Sequence, residues 1–421
     1  MNAYLQHRTL FGPQIYNRVS PNLGLTVVVP ADDEPELIRG LMSLAKCDFA
    51  GVDTEIIVVL YNELGASAAH VARNRANYLQ VLEWAKTQFR PRRKFHVLYY
   101  DDLPRKHCGP GLARKIGMDE ACYRYEKIRQ RKGIITCFDA DSRAEKNYLT
   151  AIEQHFRRNR KSDACTIYHE HPMTGIDHPE AVYEGVRGYE LHQRYVVRAL
   201  RHAGVPHAFQ TVGSSLAVRA AAYQREGGMS KRQCGAGFHF LHQFSAAGEL
   251  SECHTTRVQA APRPAQRPWY GSARTLADLL GKRGGSLPVV PPAAFEALAR
   301  MCRDLPALYA ERDERLPDEW CAELRRYLDE EGLGTRIAGL RQEAGNATDF
   351  CRRFFAWFHA HRCQDYLRLH RKQQGAFDLH TAAVWQLERE DVAVSEEERA
   401  CTRSLVRRYR RLDRGGVACK M

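Results

Sequence analysis

Four short apolar runs punctuate the first third of the chain, and each ends in polar or acidic residues. They lie at 25–30 (LTVVVP), 54–60 (TEIIVVL), 94–100 (KFHVLYY) and 133–138 (GIITCF). A half-exposed strand would alternate polar with apolar residues, so these β-branched runs read as strands covered on both faces. Between them, apolar residues recur at helical spacing. Leu37, Ile38, Leu41 and Leu44 form one such set, a longer helix spans about 68–89, and Leu112, Ile116, Ala121 and Tyr125 form a third. Strand and helix in alternation predict an α/β fold: a Rossmann-like, mostly parallel sheet with helices on both faces. Ligands of such sheets bind outside the carboxyl ends of the strands. Pro30, Asp32 and Glu34, then Asn62 and Glu63, then Asp101 and Asp102, then Asp139 and Asp141 all fall at those ends.

Asp139 and Asp141 stand one residue apart where the fourth run leaves strand geometry. Two carboxylates so placed can turn toward one point and hold a hard divalent cation, which can in turn hold a diphosphate. A strand end followed by a polar turn would also account for them. The crossover from Gly109, GPGLARK, lacks the Gly-x-Gly-x-x-Gly of a dinucleotide site and the Gly-Lys-Ser/Thr of a phosphate loop. Hydride transfer and ATP hydrolysis are therefore disfavoured. Arg114 and Lys115 on that helix could reach a phosphate, or simply face solvent. His169 and His171 would share one face of a strand as a metal pair, or as polar residues of an edge.

The formal net charge of +13 favours anionic partners. The basic residues are dispersed and form no recognised nucleic-acid motif, so no nucleic-acid partner is expected. Thirteen scattered cysteines without a Cys-x-x-Cys pair suggest buried thiols rather than disulfides or zinc. No apolar run reaches the ~18 residues of a membrane span, and the first residues lack a secretion signal. A cytoplasmic protein is expected. The basic cluster Arg407-Arg-Tyr-Arg-Arg411 would allow peripheral contact with the inner face of a membrane.

Several stretches in order resemble family 2 glycosyltransferases of the GT-A type. They are LTVVVPADDEP, EIIVVLYNE, GLARKIGMDEA, CFDADS, TVGSSLAVRAAAYQREGGM and GFHFLHQF, spread over about the first 270 residues. The resemblance implies a GT-A domain over 1–270, a proline- and glycine-rich linker at 271–292, and a helical C-terminal extension over 293–421. It implies a nucleoside-diphosphate-sugar donor, Mn²⁺ or Mg²⁺, and transfer with inversion to a glycan, lipid-linked or small-molecule acceptor. Asp139 and Asp141 would meet the metal and diphosphate. Pro30, Asp32, Glu34 and Asn62 would lie against the nucleotide, with Asp101 or Asp102 toward its base. Gly213 and Ser214 would flank the sugar, and Lys115, Arg263 and Arg267 would contact phosphate. One part is missing. Where the family carries a Glu-Asp or Asp-Asp pair before the Phe-x-Phe-Leu helix, this chain has Ala236-Gly237. His239 is the nearest substitute base by position. A homologue that binds the donor without using it is the alternative expectation.

Overall fold

The structure, a computed structural model, describes residues 2–210, 213, 215–231, 235–262, 287, 289–311, 315–374 and 377–415. Chain contacts divide it into two compact units. One comprises Met1–Pro172, Thr211–Phe244 and Gly248–Thr275; the other comprises Met173–Gln210, Ser245–Ala247 and Leu276–Met421. The helix Glu180–His202 belongs to the second unit, although the division at residue 270 leaves it in the first. Most of the segment 271–292 lies outside the described residues.

The first unit is built on one eight-stranded sheet. Its strands are β1 Leu23–Ala31, β2 Asp53–Glu63, β3 Arg93–Leu103, β4 Ile134–Cys137, β5 Arg143–Ala144, β6 Ala164–Glu170, β7 Leu216–Arg219 and β8 Leu250–Gln259. Their spatial order is β3-β2-β1-β4-β7-β6-β8-β5. The pairs β1–β2, β1–β4, β2–β3 and β6–β8 are parallel, while β7 runs against both β4 and β6, and β5 against β8. The mostly parallel sheet expected from the four apolar runs is present. β1 is buried along its whole length, as a strand covered on both faces must be.

On one face, Leu25, Val27, Val29, Ile56 and Val58 pack with Leu37, Leu41 and Leu44 of the helix Leu37–Ala45. Tyr148, Leu149 and Ile152 of the helix Tyr148–Arg158 join the same cluster. The helix Pro110–Lys127 covers the other face. Its Gly117 lies against Val28 and Val59, where an added Cβ would stand 2.5 Å from a Val28 methyl. Pro110 opens that helix at a position where its missing N–H costs nothing.

The second unit is helical among the described residues. Phe350, Phe354 and Phe358 are fully buried in its core with Leu298, Met301, Leu387, Leu405 and Tyr409. The aromatic stretch thus serves packing, and truncating Phe354 to Ala would cost about 3–5 kcal/mol. Within the C-terminal basic cluster, Arg410 pairs with Glu190 at 2.7 Å and Arg408 with Glu398 at 2.9 Å. No helix among the described residues is long and apolar enough to cross a membrane.

Candidate functional site

The strand directions gather the site. β4 and β6 both oppose β7, so β6 runs parallel to β4, and β8 runs with β6. Six strands, β1, β2, β3, β4, β6 and β8, therefore end at one edge of the sheet, and β7 begins there. The segments 30–34, 62–63, 101–102, 139–141 and 170–171, with Gly213 and Ser215, all meet that edge. His169 and His171 thus belong to the same edge as Asp139, through a strand that the four N-terminal runs did not announce. Their rings stand 6.3 Å apart. Asp101 and Asp102 sit exposed on β3, three strand spacings or about 14 Å from β4.

The loop carrying Asp139 and Asp141 is clamped from three sides. Ser142 N donates to Asp139 O at 3.0 Å, closing a turn. Arg143 donates to the carbonyls of Asp141 and Ser142, and pairs with Glu36 at 2.7 Å. Gly40 on the helix Leu37–Ala45 completes the clamp: a Cβ there would stand 2.1 Å from the Ala140 carbonyl oxygen. Only glycine lets the helix approach that closely. Asp139 receives a hydrogen bond from Arg114, in the first turns of the helix Pro110–Lys127. Burial works against the Arg114 charge, and the Asp139 carboxylate more than restores it, raising the guanidinium pKa. Arg114 is almost wholly enclosed, whereas the Asp139 side chain is 29% exposed. The carboxylate thus faces outward on a buried cation.

Gly213 takes its place from the same cation. A Cβ at 213 would lie 2.3 Å from Arg114 Nη2. The glycine admits the guanidinium, and so acts one layer behind the position expected beside a sugar. Ser214, Arg263 and Arg267 lie outside the described residues.

Lys115 points elsewhere. Its ammonium is buried, 3.0 Å from Asp119 and 3.0 Å from the Tyr4 hydroxyl. Tyr4 and Tyr223 both donate to Asp119. The structure gives Lys115 to this internal network and brings its neighbour Arg114 to the strand edge. One residue along a helix is a turn of about 100°, which is enough to separate the two roles.

The exit of β1 is organised by the helix Ala68–Thr87. His70 Nε2 lies 2.8 Å from Asp32 Oδ1 and its Nδ1 lies 3.4 Å from Asp33 Oδ2. Arg73 forms three hydrogen bonds to Asp33, and Asn74 accepts from the Asp33 amide. Asp33 itself has φ 51°, a left-handed conformation that costs free energy outside glycine. Those three side chains hold it. Asn62 is also internal: it donates to the Tyr99 hydroxyl at 2.8 Å and accepts from Asn74 at 3.0 Å. It braces the β2 exit beneath the loop. Glu34 accepts from the Glu36 amide at 2.7 Å, and Pro30 lies in β1 opposite Val59.

The helix Ala236–Ala246 carries the position where a base is missing. Ala236 is buried, and a Cβ on Gly237 would stand 3.1 Å from Leu216. Small residues fit here because the helix start is pressed onto β7. His239 is half-buried one turn on, with its ring carbon 3.8 Å from the Cβ position of Gly235.

Among the described residues no group of three or more His, Cys, Asp or Glu side chains could hold a metal ion. Asp139 and Asp141 are two hard oxygen donors without a third among the described residues. That set does not make a protein cage. It does fit a cation such as Mg²⁺, which keeps several waters and takes one or two carboxylates plus substrate phosphates.

No protein-family model matches this chain, and no curated protein matches it. Among solved structures it is similar to S. aureus TarS 1–349 in complex with UDP-GlcNAc, at 12% identity and TM-score 0.40, over 89% of this chain and 93% of that one. It is also similar to the mannosyltransferase PcManGT from Pyrobaculum calidifontis in complex with GDP-Man and Mn²⁺. That likeness has 13% identity and TM-score 0.36, over 94% of this chain and 89% of the other. Likenesses this distant decide neither family nor activity.

Proposed function

We propose that the first unit is a GT-A glycosyltransferase domain that binds a nucleoside-diphosphate sugar at the carboxyl edge of its sheet. The reading rests on one observation above the others: six strand exits share an edge, and at its centre the part-exposed Asp139 carboxylate is held by a buried guanidinium. Three of the family-like segments, LTVVVPADDEP, EIIVVLYNE and CFDADS, end at the same edge. Asp139 and Asp141 would hold Mn²⁺ or Mg²⁺, and Asp32 and Glu34 would lie along the nucleotide, with Asp101 toward the base. The cation, when bound, would stabilise negative charge growing on the diphosphate as the glycosidic bond breaks.

The chain's own residues would do the rest. Arg114 orients Asp139 from behind. His70 and Arg73 brace the β1 exit, which would limit the reorganisation of the loop when a donor arrives. Gly40 keeps the Asp139–Asp141 turn against its supporting helix. Transfer to an acceptor hydroxyl, with inversion, would need a base. His239 is one candidate. The β6 exit at Glu170 and His171 is another, since it shares the edge.

A second reading is donor binding without transfer, favoured by Ala236-Gly237. A carboxylate at 236 would be buried, and one at 237 would press on Leu216. The test is thermal shift and turnover against UDP-, GDP- and dTDP-sugars with and without Mn²⁺. Metal-dependent stabilisation by one donor class, lost in Asp141→Ala, supports donor binding; hydrolysis or transfer on top of it selects the enzyme. Indifference to every donor would remove both readings.

A further inference from the structure

The edge of the sheet opposite the strand exits carries the opposite charge. β3, β4 and β6 begin there, after the connecting segments 88–92, 128–133 and 159–163. Arg129, Arg131 and Lys132 are exposed before β4, and Arg158, Arg160 and Lys161 are exposed before β6. Arg90 and Arg92 are exposed before β3. The strand order spreads these segments across five strand spacings, about 24 Å. Cations act on a charged surface only within about 10 Å at 0.1 M salt, so a shared edge lets them act together.

None of the six cations before β4 and β6 forms a salt bridge among the described residues. Elsewhere on the unit, the exposed Arg39, Arg73 and Arg225 each meet a carboxylate within 2.7 Å. Two carboxylates at this edge are already engaged, Asp163 by Arg225 and Asp48 by Lys146 at 3.6 Å. A cation in the last turn of a helix complements the helix dipole, and that accounts for Arg158 at the end of the helix Tyr148–Arg158. It does not account for Arg131, Lys132, Arg160 and Lys161, which lie beyond the helix ends. Arg129 stands where a helix end favours glycine. Its amide donates to the Glu126 carbonyl at 3.1 Å and the Gln130 amide donates to the Tyr125 carbonyl at 2.9 Å, a closing pattern that needs a left-handed residue between. Arg129 accordingly has φ 55°, at a cost in free energy that glycine would avoid.

Two aromatic rings share the edge. Phe89, just before Arg90, is 68% exposed, and Phe49, before β2, is 46% exposed. The Arg92 and Arg93 guanidiniums lie 5.6 and 4.6 Å from the centre of the Phe49 ring. Cations alone would suit any polyanion. Exposed phenyl rings beside them suit the boundary of an anionic bilayer, where the rings enter the acyl region and the cations meet lipid phosphates. A nucleic-acid duplex offers phosphates but no apolar layer for the rings. The C-terminal basic cluster is a poorer membrane face, because Arg408 and Arg410 are paired inside the second unit. We propose that the edge where β3, β4 and β6 begin docks on an anionic lipid surface, opposite the edge assigned to the donor.

The experiment is co-sedimentation of the full chain with phosphatidylcholine vesicles, with and without one-third phosphatidylglycerol. The chain should bind the anionic vesicles at about 0.1 M salt and leave them at about 1 M, where the screening length falls to about 3 Å. A basic side chain near such a surface is worth roughly fivefold in partitioning. Arg131→Glu with Lys132→Glu, and separately Arg160→Glu with Lys161→Glu, should each weaken binding at least about 25-fold. Arg403→Glu with Arg407→Glu changes the net charge equally on the second unit, and should weaken binding no more than about threefold. Phe89→Ser should weaken it about fivefold. The substituted side chains are exposed, so the variants should melt with the wild type, and two separate loops keep the test open if one variant misfolds. No step uses a nucleotide sugar, so the outcome is independent of the donor reading. The proposal is overturned if anionic vesicles do not bind, if neutral vesicles bind equally, or if the Arg403 and Arg407 pair matters more than the edge pairs. It is also overturned if Phe89→Ser leaves the affinity untouched, or if a short DNA duplex binds more tightly than vesicles at equal phosphate.

Discussion

The helix Pro110–Lys127 carries the same device at both ends, with opposite consequences. Near its C-terminus Arg124 pairs with Glu55, at the start of β2; near its N-terminus Arg114 pairs with Asp139, beyond the end of β4. Both guanidiniums are buried. The carboxylates differ: the Glu55 side chain is 2% exposed and that of Asp139 is 29% exposed. Burial pushes the Glu55 carboxyl up, and hydrogen bonds from Arg124 and His96 more than reverse this, holding it at about 2. Glu55 is closed in by Arg124 and His96, and its pair can serve only the fold. The Asp139 pair leaves carboxylate surface available to something outside. Position relative to the strand ends, rather than residue type, separates a structural ion pair from one that can work.

The comparison can be broken from either end. Glu55→Gln leaves Arg124 buried against a neutral partner, and should cost about 3–5 kcal/mol in urea unfolding at neutral pH. The pH dependence has a defined sign. Because folding lowers the Glu55 pKa, its contribution is complete above the ordinary carboxyl value of 4.5 and is lost as pH falls toward about 2. The gap between wild type and Glu55→Gln should therefore close across that window. A gap that widens on acidification would contradict the pairing.

At the open end the expected loss is functional. Asp141→Ala should lower donor turnover about 10²–10³-fold while moving stability by no more than about 0.5 kcal/mol. Asp139→Ala should lose comparable activity and also some stability, since it strands Arg114. If Asp139→Ala only destabilises and a donor still binds normally, the two ends are alike and the functional reading of this pair falls. Gly40→Ala forces the Ala140 backbone to move, and should cost about 1–3 kcal/mol with donor affinity weakened about tenfold. Lys115→Met, one residue from Arg114, should cost about 1–3 kcal/mol and leave donor affinity within about twofold. A larger effect on the donor would return Lys115 to the phosphate.

The strands of the N-terminal half were legible because burial on both faces leaves an unbroken β-branched run. β8, LSECHTTRVQ, was not, since it mixes polar with apolar residues and looks like loop. The acidic exits were legible as a set, but their supports were not. His70 and Asn74 reach back to residues 32–33 and 62 from another element, and nothing local in the sequence marks that. In the helix Pro110–Lys127, Arg114 and Lys115 left a solvated face open as a reading, and Asp119, Glu120 and Arg124 add further charge. In fact every residue from Gly111 to Tyr125 is buried, and each of those charges meets a partner inside. Periodicity reports the average environment of a helix; it is blind to charges that are matched one by one.

The segment before β1 has its partners far down the chain. Tyr4 donates to Asp119, Tyr123 donates to the Leu5 carbonyl, and the amides of Gln14 and Ile15 donate to Glu120. Tyr4 also fills the space beside Gly228, where a Cβ would stand 2.0 Å from its hydroxyl. During synthesis these residues emerge roughly a hundred positions ahead of their docking surface. At bacterial-to-eukaryotic elongation speeds they wait roughly 5–20 s for it. The burial of the helix that bears Arg114 is thus completed by a segment made before the helix itself.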